Sequence, residues 1–553
     1  MNHRTVGQSL YSPALACLMG LTPAAAAVTS STQKPNIVII LADDLGYGDV
    51  QSYNPDGKIP TPNIDRLAGE GMRFTDGHAA AAGCTPSRYS LLTGRYDWRS
   101  HAQRGVFGGF GGPALIQPQR LTIAGLAKAN GYKTSCIGKW HVGWNWPIKP
   151  QEYELLGLKP LATIIQESEK AGNPRNPSIE ELAANGFYDA KPVAGYKAPV
   201  PTDQQLEAWR NIFSQPIGGG PTAIGFDYFF GIDAPGYPPF AYMENDRLLA
   251  IPTEFLPENF FIPSIQLAAC QGPAVKGWDF DDVVPAMFKR ARDYIVKAAE
   301  AKQPFLLHLP MPGPHQPWTV SKDWMKRSGL SLYADYVMET DAAIGELMAT
   351  LEKAGVADNT IVIVSSDNGY SPYGWGEMVK KGHYSSGPFH GFKAQAQEGG
   401  HRVPFIVRWP AVVKPGSVSN QLVSQTDIMA TMADIFGVQL PDNAGEDSFS
   451  FLPILKGEDK NTRPYIVNHS GQGGYGIRKG DWKLILEVDG RGVPVQLYNL
   501  AEDIGEKKNL ADQKPEIVSE LRALMEKLVA DGRSTPGPRQ QNDTEVLWLP
   551  RKG

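Results

Sequence analysis

The chain has 553 residues, with 53 Lys+Arg against 58 Asp+Glu, 42% hydrophobic and 20% charged residues, and a formal charge of −5. This balance describes a globular protein with room for more than one layered core and excludes a disordered or fibrous chain. No basic field exists to gather nucleic acid or anionic lipid, so any anionic ligand has to be caught at a local site.

In chain order, Arg4 precedes a mildly apolar stretch, Leu10 to Leu21, followed by Pro23 and Ala24 to Ala27. Residues 1–27 read as a cleaved secretory signal, which places the mature chain in the periplasm or outside the cell. No segment reaches the ~20 apolar residues that a membrane span requires. Three cysteines remain beyond the signal, Cys84, Cys136 and Cys270, so at least one is unpaired or chemically altered. Cys136 and Cys270 read either as a bridge or, since Cys136 sits in an apolar strand-like run, as free thiols.

The run Asn36 to Leu41 is β-branched and apolar, and it stops at Asp43-Asp44. Two similar runs are Ile361 to Val364, ending in Ser365 to Gly369, and Pro304 to Leu309, running into Pro312 to His315. All three predict buried strands that end in polar clusters. Helical patterns at Asp65–Gly71, Thr122–Asn130, Val283–Ala301 and Tyr333–Ala354 alternate with them. The fold class is therefore α/β, a mostly parallel sheet flanked by helices, with ligands expected at the carboxyl ends of the strands. Trp144 to Thr222 reads as a surface insertion. From about residue 456, short alternating runs at Tyr475–Arg478, Trp482–Ile485 and Gln496–Asn499 precede the amphipathic helix Pro515–Asp531. They predict a small C-terminal antiparallel sheet with one helix, giving residues 28–455 as the main domain and 456–553 as a subdomain, with a polar, proline-rich tail from Arg533.

Parallel strands bring Asp43, Asp44, Asp367 and Asn368 to one sheet edge. Four oxygen-bearing side chains converging there fit a hard cation, Ca²⁺ or Mg²⁺, rather than Zn²⁺; singly, each acid reads as a turn or helix cap. Cys84 stands in a Pro-containing turn before a helix that carries Arg88 one turn in, an arrangement suited to an anion. It reads either as a thiol nucleophile of lowered pKa or as a buried cysteine at a capped helix start.

Cys84-Thr85-Pro86-Ser87-Arg88 resembles the Cys-x-Pro-Ser-Arg signature of the type I, formylglycine-dependent sulfatases, and Gly138-Lys139-Trp140-His141 resembles that family's second signature. The resemblance extends from Pro35 to Pro404, through Thr61–Asp65, Ser366–Gly369 and Glu398–Gly400. It implies an alkaline-phosphatase-like fold and a Cys84 oxidised to formylglycine by a maturation enzyme, which would account for the odd cysteine. It also implies one calcium ion held by Asp43, Asp44, Asp367, Asn368 and the modified residue 84. In the family, a hydroxyl of the hydrated aldehyde attacks sulfur, the alcohol departs, and the second hydroxyl expels sulfate. Arg88, Lys139 and Lys393 match the family's cationic clamp on the sulfate, His141 the residue bonded to the diol, and His315 the donor to the leaving oxygen. The approach to Glu398 is altered here, Gly391-Phe-Lys393-Ala-Gln-Ala-Gln, although the spacing of Lys393 still fits.

Aromatic, Arg and His residues suit the rim of a sugar site: the loop Tyr96–Arg104 with Arg99, His101 and Arg104, then Trp144, Trp146, the run Gly369–Trp375 with Trp375 at its end, His383 and His390. Together with Leu91–Tyr96 and Gly225–Gly231, the resemblance points toward bacterial exo-acting polysaccharide sulfatases, including those removing 6-O-sulfate from galactose or N-acetylgalactosamine. Two rivals differ in class. A phosphatase or phosphonate hydrolase of the same fold often uses two zinc ions, which ten histidines and the lack of a His adjacent in sequence to the acidic pairs disfavour. An inactive binder of sulfated glycans would not need every reactive position filled.

Overall fold

The computed structural model describes residues 34–548 apart from 176–177, 189–190, 258–269, 472 and 487–493. The expected signal, residues 1–27, lies outside the described residues. Among those described, no helix is long and apolar enough to cross a membrane.

A ten-stranded sheet organises the chain. Five strands run parallel at its centre in the order Thr360–Ser366, Asn36–Ala42, Phe305–Pro310, Lys133–Lys139 and Tyr228–Ile232. Antiparallel neighbours complete both sides, Phe405–Arg408 and then Met72–Phe74 on one, Met243–Glu244 and Arg247–Leu248 on the other, and Ser417–Ser419 extends the first edge. The continuous apolar run of Asn36–Ala42 is explained by burial on both faces. Val38 and Ile40 pack into one core with helices Pro62–Glu70, Val283–Glu300 and Leu332–Lys353, whereas Ile37, Ile39 and Leu41 pack into another with Cys84–Thr93, Ile123–Ala129 and Ile428–Phe436. Thr122 caps one of these helices, accepting the Gly125 N–H at 3.0 Å, which is why that helix begins a residue after the predicted start.

Register sets the site. Ala42 pairs with Ser366 and Leu41 with Pro310, and Lys139 pairs with Ile232, so the residues following all five strands emerge at one edge. The C-terminal part holds a four-stranded antiparallel sheet, Tyr465–His469, Tyr475–Lys479, Trp482–Leu486 and Gln496–Asn499, with helix Pro515–Asp531. Its first strand carried no separate signal in the sequence. The tail after Arg533 is laid back on the main body, where Asp543 accepts from Arg95 and Thr544 from Gln103. Residues 144–222 include helices Leu161–Lys170 and Asp203–Phe213, and a small core around Trp209 anchors this stretch. Cys136 and Cys270 do not bridge; both are free thiols, Cys136 in the sheet interior and Cys270 on a two-stranded pairing with Pro160.

Candidate active site

The structure brings together every residue of the expected nucleophile, metal and sulfate sets. Cys84 opens helix Cys84–Thr93 and is 1% exposed, at the base of a pocket of about 310 Å³ that Lys139, His141, His315 and Lys393 also line. The turn that presents it is held from several sides. Ser87 donates to Ala81 O at 2.7 Å, and Thr85 donates to His141 O at 2.9 Å while accepting from Phe107 N–H at 3.1 Å.

Arg88 donates from Nε and Nη2 to Asp367 Oδ2 at 2.9 and 2.7 Å and from Nη1 to Lys139 O at 2.8 Å. Lys139 Nζ donates to Asp43 Oδ2 at 2.5 Å and Lys393 Nζ to Asp44 Oδ1 at 2.6 Å. Cys84 Sγ lies 3.5 Å from Asp43 Oδ1. Three carboxylates thus face three cations in a buried cluster, an arrangement that stays favourable only while each partner is present. Asp44 and His141 adopt left-handed backbone conformations, φ 68° and 54°, which turn the chain sharply at the strand ends.

Electrostatics follow from burial and these pairs. For Asp43, burial opposes ionisation, but Lys139 above all, with His315, Arg88 and Lys393, outweighs it and holds its pKa well below the usual range. Burial and the Asp43 carboxylate push Asp367 up to about 6. Burial, then Lys393, pushes His315 down to about 4, and burial with Lys139 and Arg88 holds His141 well below its ordinary value. For Cys84 the lowered thiol pKa is not found: burial and the neighbouring Asp367 push it up to about 12. An unmodified Cys84 would therefore be a neutral thiol, a poor nucleophile.

The donors fit a hard cation. Asp43, Asp44, Cys84 and His315 each offer a ligand atom within 4.8 Å of the others. Asp44 Oδ2 and Asn368 Oδ1 are buried without a hydrogen-bond partner, acceptor oxygens for which an oxygen-coordinated cation is the natural complement. Asp367 joins them, with Asp44 N–H donating to its Oδ1 at 3.3 Å, and Asn368 Nδ2 donates to Asp44 Oδ1 at 2.7 Å. The fold does set one histidine beside the acidic pairs, His315 Nε2 at 3.8 Å from Asp44 Oδ2, which sequence adjacency did not reveal. With a single His and two lysines on these acids, the set still does not resemble two-zinc ligation.

The expected rim needs correction. Arg99 is fully buried and donates to both oxygens of Asp447 at 2.9 Å and to Leu528 O. His383 is fully buried, bonded to Asp49 Oδ1 at 2.8 Å and accepting the Lys58 N–H. Trp144 is buried and donates to Asp233 Oδ1 at 3.0 Å, and Trp146 packs against Phe110 and Phe213. These four brace the scaffold. His101 and His390 are exposed, but each lines a separate cleft, and Arg104 is exposed beside Gly473. Trp375 opens helix Trp375–Lys380, and its side chain lies outside the described residues. Of the expected rim, Ser371 to Tyr373 in the run Gly369–Trp375 do line the pocket, and the rest of its wall includes Tyr237, Gln316 and Phe392, which the rim reading left out. Asp233, just after the fifth parallel strand, was also missed. It is buried, and burial pushes its carboxyl up to about 7 despite the Trp144 bond.

The comparisons agree with this geometry. The family model described as Sulfatase matches residues 35–191 and 203–438, and one described as N-sulphoglucosamine sulphohydrolase, C-terminal, matches 390–531. The chain is 33% identical over 519 residues to an N-acetylgalactosamine-6-O-sulfatase of Bacteroides thetaiotaomicron, covering 90% of this chain and 93% of that protein. It is 30% identical to the steryl-sulfatase of Rattus norvegicus, covering 79% and 72%. A solved structure from work on glycosaminoglycan metabolism by Bacteroides thetaiotaomicron superposes with a TM-score of 0.72 at 30% identity, covering 90% of this chain and 99% of the other. A fold so matched, with the Cys84 turn, three cations and the acidic cluster at one sheet edge, leads to one assignment: the chain belongs to the sulfatase family and is a sulfuric ester hydrolase of alkaline-phosphatase-like fold.

Proposed function

We propose that the chain removes sulfate from a glycan, with 6-O-sulfated galactose or N-acetylgalactosamine the best-matched substrates, acting at chain ends. The observation that carries this is Cys84 at the pocket base, with its thiol 3.5 Å from an Asp43 oxygen and with Lys139, Lys393 and Arg88 around it. The 33% identical N-acetylgalactosamine-6-O-sulfatase supports the sugar and the position.

Asp43, Asp44, Asp367 and Asn368 hold calcium in this reading, beside a formylglycine made from Cys84. Together these groups supply a hydrated aldehyde whose hydroxyl is acidified by the metal charge. The chain's own residues do the rest. Lys139 and Lys393 shift part of their charge from Asp43 and Asp44 to sulfate oxygens, balancing charge as the ester bond breaks. Arg88, locked on Asp367, keeps residue 84 in place. The Nδ1–H of His315 is donated to Gln316 O, and the ring donates from Nε2 to the departing alcohol only once it is doubly protonated, a state that the negative charge of a bound sulfate ester favours against the burial and Lys393 that push its pKa down to about 4. His141, whose ring nitrogens have no partner, is free to bond the hydrated residue 84.

The reading includes export to the periplasm or outside the cell, maturation by a formylglycine-generating enzyme, and division of the mature chain at about residue 455. A panel of sulfated mono- and oligosaccharides, scored for released sulfate beside matched phosphate esters, tests it. Sulfate release from galactose- or N-acetylgalactosamine-6-sulfate is expected; faster phosphate release would replace it with the phosphatase reading.

A further inference from the structure

Gln316 combines three properties that no step above uses. It lines the same pocket as Cys84, it is 5% exposed, and its amide oxygen Oε1 is buried without a hydrogen-bond partner. A buried amide oxygen left unpaired costs free energy, so its retention in a pocket wall calls for a complementary donor from outside the chain. It stands next to His315, whose position serves the leaving oxygen, while the sulfate-facing cations Lys139 and Lys393 already bond the acids. In the sulfatase reading a ligand turns its leaving oxygen toward His315, the neighbour of Gln316 in the chain. The rings of Tyr237, Tyr373 and Phe392 line the same pocket, with Ser371 beside them in the lining.

Resting on the sulfatase reading above, we infer that Gln316 determines which sulfated sugar is accepted. Its amide oxygen receives a hydrogen bond from a hydroxyl, or from the N–H of an acylamino group, on the ring that carries the scissile sulfate. Of the two ends of the amide, the buried one without a partner is the acceptor Oε1, so the group it reads is a donor. Because a site built around one polar contact rejects analogues lacking the partner, this one amide discriminates among sugars that share a sulfated position.

The test compares the purified full-length enzyme with Gln316→Met, which keeps the volume and removes the amide, and Gln316→Glu, which keeps an acceptor oxygen. Each is assayed for kcat and KM on sulfated hexoses that share the position the parent cleaves and differ in one hydroxyl or acylamino group. Since the leaving oxygen is the same throughout, any effect exerted through His315 lowers all members alike. Gln316→Met is expected to shrink the parent's preference between its best and next sugar about tenfold, mainly through KM. Gln316→Glu is expected to keep that preference while slowing every sugar, because a negative charge opposes sulfate. A uniform loss in Gln316→Met, or an unchanged preference, would overturn the inference. A parent that releases sulfate from no sugar would be seen before any variant is compared, and it would overturn the glycan reading itself.

Discussion

Arg88 places two nitrogens, at 2.9 and 2.7 Å, on the same oxygen of Asp367, and both side chains are buried. The contact ties the helix that begins at Cys84 to the end of strand Thr360–Ser366, so residue 84 and the acidic cluster are held together. Burial makes this pair costly to break from either side, because the survivor is left as an uncompensated charge.

Asp367→Ala should accordingly remove both bound calcium and turnover. Even partners outside a metal's ligand set cost about 10–100-fold in affinity when lost, so a ligand should cost at least about 100-fold. Elemental analysis of the purified variant beside the parent, with sulfate release before and after chelation, checks this. Full activity in a calcium-free variant would count against the metal assignment.

Cys84→Ala should abolish sulfate release while the melting temperature stays near the parent's, because the helix start is held by Ser87 and Thr85 rather than by the thiol. Mass spectrometry of the peptide containing residue 84 from the native host should find an aldehyde. With the unmodified thiol pushed up to about 12 by burial and Asp367, a competent enzyme that retained Cys84 as a thiol would sink the mechanism.

The parts legible in the sequence share a cause. Asp43, Asp44, Asp367 and Asn368 follow buried β-branched runs, and such runs end where polar side chains begin, so burial pattern alone marked the sheet edge. Helix Val283–Glu300 and helix Pro515–Asp531 matched for a similar reason, a sustained apolar face. Most of the pocket wall had no such signal. Tyr237 and Gln316 lie in loops after strands, where no periodicity marks which way a side chain faces, whereas Tyr373 lies in the run Gly369–Trp375, whose aromatic composition marked it. Arg99, His383 and Trp144 were misassigned because a buried polar side chain and a rim residue look alike until the partner is known. Their partners, Asp447, Asp49 and Asp233, lie 348, 334 and 89 residues away.

Asp233 predicts a pH dependence of stability. Burial raises its carboxyl from 3.8 to about 7, so the folded state holds the proton more tightly than the unfolded chain does. Its stabilising contribution is complete below about pH 4 and is lost as pH rises through about 7. Asp233→Asn, which mimics the protonated form and can still accept from Trp144, removes that slope. The melting temperature of the variant minus that of the parent should therefore grow between about pH 5 and about pH 8. A difference that shrinks over that range would show Asp233 to be ionised in the fold.

Arg99 tests the corrected rim. Its guanidinium spans Asp447, Leu528 O and Asn542 Oδ1, and it lies over the Trp98 ring at 4.2 Å, joining the loop after the Cys84 helix to helix Pro515–Asp531 and the tail. Arg99→Met leaves Asp447 buried without its main cation, and removing one partner of a buried pair costs roughly 3–5 kcal/mol. A lowered melting temperature is expected, with the ranking of sulfated sugars unchanged, because Arg99 does not line the pocket that holds Cys84. A reordered sugar preference at unchanged stability would return Arg99 to substrate binding.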